Sequence, residues 1–145
     1  MDEYGYVVNV DGVVARGDEY LLIERGADEE HAPGALGLPG GKLEAPPGTD
    51  NALKTAARRE IEEEVGVEVG AVEYVCSGTF EADTGTECLN VVTLCEYVDG
   101  EVQARATDEV AAVHWLTFEE LREHGDVPAY TETYVERAEA VRNGT

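Results

Sequence analysis

The chain has 145 residues, 43% of them apolar, and carries 32 Asp and Glu against 10 Lys and Arg, for a formal net charge of −22. That length suits one domain with a real core, here expected to span residues 1–145, and is short for two. With Lys42 and Lys54 as the only lysines, the surface is a poor match for nucleic acid or an anionic membrane, because phosphate groups are gripped by Lys and Arg.

The acids are spread along the chain among apolar residues, so an acidic disordered tail does not account for them. Such a composition resembles proteins of salt-loving organisms, where concentrated cations screen self-repulsion. Cys76, Cys88 and Cys95 are odd in number and lack C-x-x-C spacing, which fits small buried hydrophobes in a reducing cytoplasm. The start, Met1-Asp2-Glu3, lacks the features of a secretion signal, and no apolar run reaches membrane-spanning length.

In chain order, the Val-rich residues 6–15, interrupted by Asp11-Gly12, and residues 20–23 predict two strands joined by a turn at Gly17-Asp18. Arg16, Glu24 and Arg25 read as strand-end charges. Residues 26–34 have no periodicity and predict a surface loop, with His31 a solvated residue in it. Leu36-Gly37-Leu38-Pro39-Gly40-Gly41 is a short apolar piece running into a glycine bend, where the backbone can approach a ligand closely. It is no P-loop, since Leu43 follows Lys42 where Ser or Thr is required. Thr49 or Asp50 can cap a helix starting near Asn51, and Gly66 can end it. Strands follow at 69–80, 89–98 and 110–116. A polar loop separates the first two, and Asp99-Gly100 predicts a hairpin into residues 102–105. Thr117 caps a short helix, His124 sits at its end, and Tyr134, Val135, Ala138 and Val141 lie at helical spacing on a last packing face. The expected fold class is α+β.

The helix over 51–66 carries an anomaly. Glu60, Glu64 and, beside them, Glu63 share the arc that holds Leu53, Ala56, Ala57 and Ile61, while Asn51, Thr55, Arg58 and Glu62 form the opposite one. A Glu-rich run is most simply a solvated face. Glu62 obeys that reading; Glu60 and Glu64 interrupt the inward side. Half-buried carboxylates repel one another and resist desolvation, so their pKa values rise or a cation sits among them. An oxygen-only cluster suits Mg²⁺ or Mn²⁺.

Arg59-Glu60-Ile61-Glu62-Glu63-Glu64-Val65-Gly66-Val67 matches the second half of the signature G-x5-E-x7-R-E-U-x-E-E-x-G-U, with U bulky and apolar, at every fixed position. The chain here resembles the Nudix hydrolase family, and the order of elements around the box is similar too. In the first half the pattern's Glu falls on Asn51, and residues 45–48 stand as a four-residue insertion after Gly41. The resemblance implies a Nudix-type α/β/α sandwich with a central mixed β-sheet. It implies a Mg²⁺- or Mn²⁺-dependent hydrolase that cleaves a diphosphate linkage in a nucleoside diphosphate derivative of the nucleoside triphosphate or nucleotide sugar type. Glu60, Glu63 and Glu64 would hold the metals with the Gly40 carbonyl, Arg59 would steady Glu63 at i+4, and Glu109 would supply a further acid, with Glu81 and Glu87 as weaker candidates. The partner would be a small-molecule nucleotide, with neither nucleic acid nor membrane, and a homodimer is admissible. The alternative is a catalytically silent Nudix-fold nucleotide-binding or regulatory module. No Pro occurs between Pro47 and Pro128, which weakens an ADP-ribose preference; residues 80–84 offer no Tyr for dinucleoside polyphosphates, leaving a nucleoside triphosphate as the default.

Overall fold

The computed structural model describes residues 4–26, 34–105 and 110–144. Among these residues seven strands form one mixed sheet. β1 (Val7–Arg16) turns through Gly17, at φ +61°, into β2 (Glu19–Arg25), the two pairing only at Ala15–Tyr20 and Arg16–Glu19. Beyond those two pairs they splay. β6 (Glu87–Asp99) runs parallel along β1, and β7 (Val110–Thr117) runs antiparallel along β2. The short segments β3 (Leu36–Gly37) and β4 (Gly40–Lys42) fill the gap, β3 on β2 and β4 on β1. The glycine bend is thus inserted into the sheet rather than hung from its rim. β5 (Glu68–Glu81) closes the far edge against β6.

One core cluster joins α1 (Ala52–Val65) to one face through Val10, Val14, Leu21, Ile23 and Cys95. A second joins α2 (Phe118–Glu123) and α3 (Ala129–Arg142) to the other through Val13, Tyr20, Leu22, Leu36, Val92 and Leu121. Alternate residues of β1 feed opposite clusters, which is the period of a strand buried on both faces. The result is the α/β/α sandwich on a mixed sheet, of α+β class.

Several local expectations change. Asp11-Gly12 does not interrupt β1: Gly12 donates its N–H to Pro39 O at 2.9 Å, and a Cβ there would meet Ile61 Cδ1 at 2.7 Å. Neither Thr49 nor Asp50 caps α1. The N-cap is Asn51, in the left-handed region at φ 51° and without a side-chain cap bond, while Thr49 Oγ1 donates to Pro46 O. Leu53, expected inward, is 36% exposed. Gly66 ends the helix at φ 75° as expected. Residues 102–105 form no hairpin strand; Gln103 and Arg105 donate their N–H groups to Val65 O and Glu64 O instead. The last carbonyls of a helix lack intrahelical donors, and here the passing chain supplies them. Thr117 makes the full capping box with Glu120, and His124 is the C-cap of α2. His31 lies outside the described residues, and among those described no helix is long and apolar enough to cross a membrane.

Candidate active site

Ala56, Ala57, Ile61 and Val65 seat α1 on the sheet, and this seating carries Glu60 and Glu64 to the glycine bend. Glu64 is only 7% exposed, and its Oε1 accepts the Gly40 N–H at 2.8 Å. Glu60 is largely buried and lies so close to Gly41 that a Cβ there would meet Glu60 Oε2 at 2.5 Å. A Cβ on Gly40 would clash with Val10 O and Asp11 Oδ1 of β1. A Cβ at Gly41 would therefore push helix and sheet apart, whereas one at Gly40 would force β4 away from β1.

Glu63 is exposed, with its Oε1 4.0 Å from Arg59 Nε. Arg59 holds Glu60 more closely, Nη2 to Oε1 at 3.2 Å, and its Nη1 donates to Glu44 O at 2.8 Å. The expected Arg59–Glu63 pairing is thus secondary to a tie between Glu60 and the loop after β4. Among the described residues no three His, Cys, Asp or Glu side chains converge closely enough to hold an ion. The donor chemistry nevertheless fits a hard divalent cation. Glu60 and Glu64 bring carboxylate oxygens to a cradle that a Cβ would fill, and exposed Glu63 stands one turn from Glu60. Glu109 lies outside the described residues. Glu81 and Glu87 pair across the end of the β5–β6 hairpin, both exposed.

A polar group not singled out in the sequence underlies the bend. Asp11 pairs with Gly40 in the β1–β4 ladder. Burial pushes its carboxyl up to about 6, against the lowering influence of an Asn90 hydrogen bond and the Arg25 guanidinium. Arg25 Nε is itself buried with no hydrogen-bond partner among the described residues, so Arg25 is no simple strand-end charge. The available signal was alternation: Asp11 occupies the same face of β1 as Val13 and Ala15, where the core demands an apolar group.

A carboxylate-bearing helix seated on a glycine bend, inside a three-layer α/β/α sandwich, defines a domain class suited to recruiting cations at an otherwise repulsive anionic surface. A family model described as the NUDIX domain matches residues 5–136. The NAD-capped RNA hydrolase NudC of Pseudomonas aeruginosa is 31% identical over 109 residues, which cover 75% of this chain and 35% of that protein. The chain thus spans about a third of the length of the curated relatives it matches. The crystal structure of a MutT NUDIX hydrolase from Burkholderia pseudomallei superposes with TM-score 0.76 at 25% identity, covering 92% of this chain and 98% of that one. For the MutT protein of Methanosarcina mazei Go1 the values are 0.74, 26%, 98% and 99%. The chain belongs to the Nudix hydrolase family.

Proposed function

We propose that the protein is a Mg²⁺- or Mn²⁺-dependent hydrolase of a diphosphate linkage in a nucleoside diphosphate derivative, with a nucleoside triphosphate as default substrate. The observation that carries this is the buried Glu64 carboxylate docked on the Gly40 N–H, one turn from Glu60 on the same inward flank. Glu60 and Glu64 would be the principal ligands, Glu63 and the Gly40 carbonyl would complete the set, and Glu109 would supply a further acid. When bound, divalent ions reverse the local sign, polarise P–O bonds and acidify water.

The chain's own residues do the rest. Gly41 leaves room for the Glu60 carboxylate at the sheet, and Gly40 donates its N–H to that of Glu64. Arg59 orients Glu60 and ties it to the main chain at Glu44, a supporting contact of the kind that fixes ligand geometry. The N–H of Arg105 bonds the carbonyl of Glu64, fixing the C-terminal turn that bears that carboxylate. Arg25 brings a cation beside the bend, where phosphate oxygens need a counter-charge. The substrate named for NudC is a capped RNA; a chain of net charge −22 disfavours a long polyanion, which supports a free nucleotide derivative.

The test is a panel of nucleoside triphosphates, nucleotide sugars, ADP-ribose and NAD incubated with Mg²⁺ or Mn²⁺ in molar salt, with products separated by chromatography. Cleavage within a diphosphate that stops on chelation is expected. Binding of these ligands with no turnover of any would replace the hydrolase by a silent binding module.

A further inference from the structure

Arg16 lies five residues along β1 from Asp11, roughly 16 Å at the rise of an extended strand. There, at the other end of the strand from the glycine bend, β1, β6 and β7 end around a cleft of about 520 Å³. That size falls within the roughly 300–1,000 Å³ of small-ligand sites. Its wall is a fixed stack. The Arg16 guanidinium lies 3.9 Å from the centroid of the Trp115 ring and 5.4 Å from that of Tyr97. Tyr97 meets Trp115 edge-on, with centroids 5.7 Å apart and planes at 87°. Tyr97 donates its hydroxyl to Gly100 O at 2.7 Å, and Glu19 Oε1 lies 3.6 Å from Arg16 Nη2 in an exposed ion pair. Arg16 nonetheless remains substantially exposed. The remaining lining includes Val113 and the acids Asp99 and Glu101.

This chemistry selects its ligand. A guanidinium over an indole presents a flat surface on which a planar ring stacks. Arg16 already satisfies the cation–π role, so a second cation there would meet like charge. Asp99 and Glu101 can only accept hydrogen bonds when ionised, so they welcome N–H groups and repel phosphate. A nucleobase with an exocyclic amino group meets all three conditions. We propose that this cleft is a second binding site, separate from the acids of α1, that takes such a base by stacking on Arg16 and donating to the Asp99 and Glu101 rim. It stands whether or not the α1 site hydrolyses nucleotides.

Trp115 is the chain's single tryptophan, so its fluorescence reports directly on the cleft. The whole chain, in molar salt with EDTA, is titrated with adenosine, uridine and inorganic pyrophosphate under red-edge excitation with inner-filter correction. Saturable quenching is expected with adenosine, weaker quenching with uridine, which lacks the amino group, and none with pyrophosphate. Arg16→Ala should weaken adenosine binding roughly ten-fold or more, in line with the loss of one stacking partner. Glu101→Gln, at an exposed position, should narrow the preference for adenosine over uridine, and serves if Arg16→Ala does not fold by circular dichroism. Glu64→Gln should leave the titration unchanged. Absence of quenching, quenching indifferent to both cleft substitutions, or its loss in Glu64→Gln would overturn the proposal, the last by placing the ligand at α1.

Discussion

Replacing Glu64 by Gln removes one negative charge from the flank of α1 and almost no volume. In the structure the Glu64 carboxylate is buried and accepts the Gly40 N–H at 2.8 Å. A hydrogen bond to an ionised acceptor contributes about 1.5–3 kcal/mol and a neutral one about 0.5–1.5, so Glu64→Gln should cost about 1 kcal/mol of stability. Relief of repulsion with Glu60 offsets part of that. Against the roughly 5–15 kcal/mol of a typical domain the variant stays folded. Activity responds differently, because an amide oxygen is a poor ligand and a poor proton acceptor. Loss of one group that stabilises the transition state costs roughly 2.7–4 kcal/mol, or 10²–10³-fold in kcat. The assay is nucleotide release against Mg²⁺ concentration, with urea unfolding of the same preparations. A folded Glu64→Gln protein retaining a third or more of wild-type turnover at saturating Mg²⁺ would refute the assignment of Glu64 as a ligand.

Three further outcomes are expected. The Asp11 carboxyl is raised from 3.8 to about 6, so the folded state holds this proton more tightly than the unfolded chain does. Its contribution is full below about pH 4 and is lost as pH rises through about 6. Asp11→Asn should therefore gain on wild type between pH 4.5 and pH 7.5 by on the order of 1–3 kcal/mol, measured by urea unfolding in EDTA; a constant difference would show that burial does not burden the charge. Asn51 sits at φ 51°, a region costing most L-residues about 1–2 kcal/mol and glycine almost nothing. Asn51→Ala should lower stability by about 1 kcal/mol while Asn51→Gly lowers it by much less, and equal losses would contradict a backbone origin. Finally, with a net charge of −22, thermal unfolding should move upward between dilute buffer and molar KCl; an unchanged midpoint would remove the analogy to salt-adapted proteins.

What the sequence determined is what depends on local spacing. The inward position of Glu60 and Glu64 follows from 3.6 residues per turn once Ala56, Ala57 and Ile61 define the buried side, and their burial agrees. Gly66 and Thr117 act where local chemistry makes them act, as a left-handed helix end and a capping box. Contacts across the chain were decided elsewhere. Arg59 turns to Glu60 and the Glu44 carbonyl rather than to Glu63, because the loop after β4 comes within reach only when β4 joins β1. Residues 103 and 105 leave their expected hairpin because the end of α1 offers unpaired carbonyls. Asp11, Asn90 and Arg25 come from three strands, and the sheet alone brings them together at the bend. Periodicity records which side of an element a residue occupies, whereas the identity of the group it meets depends on how strands splay and which segment fills the gap.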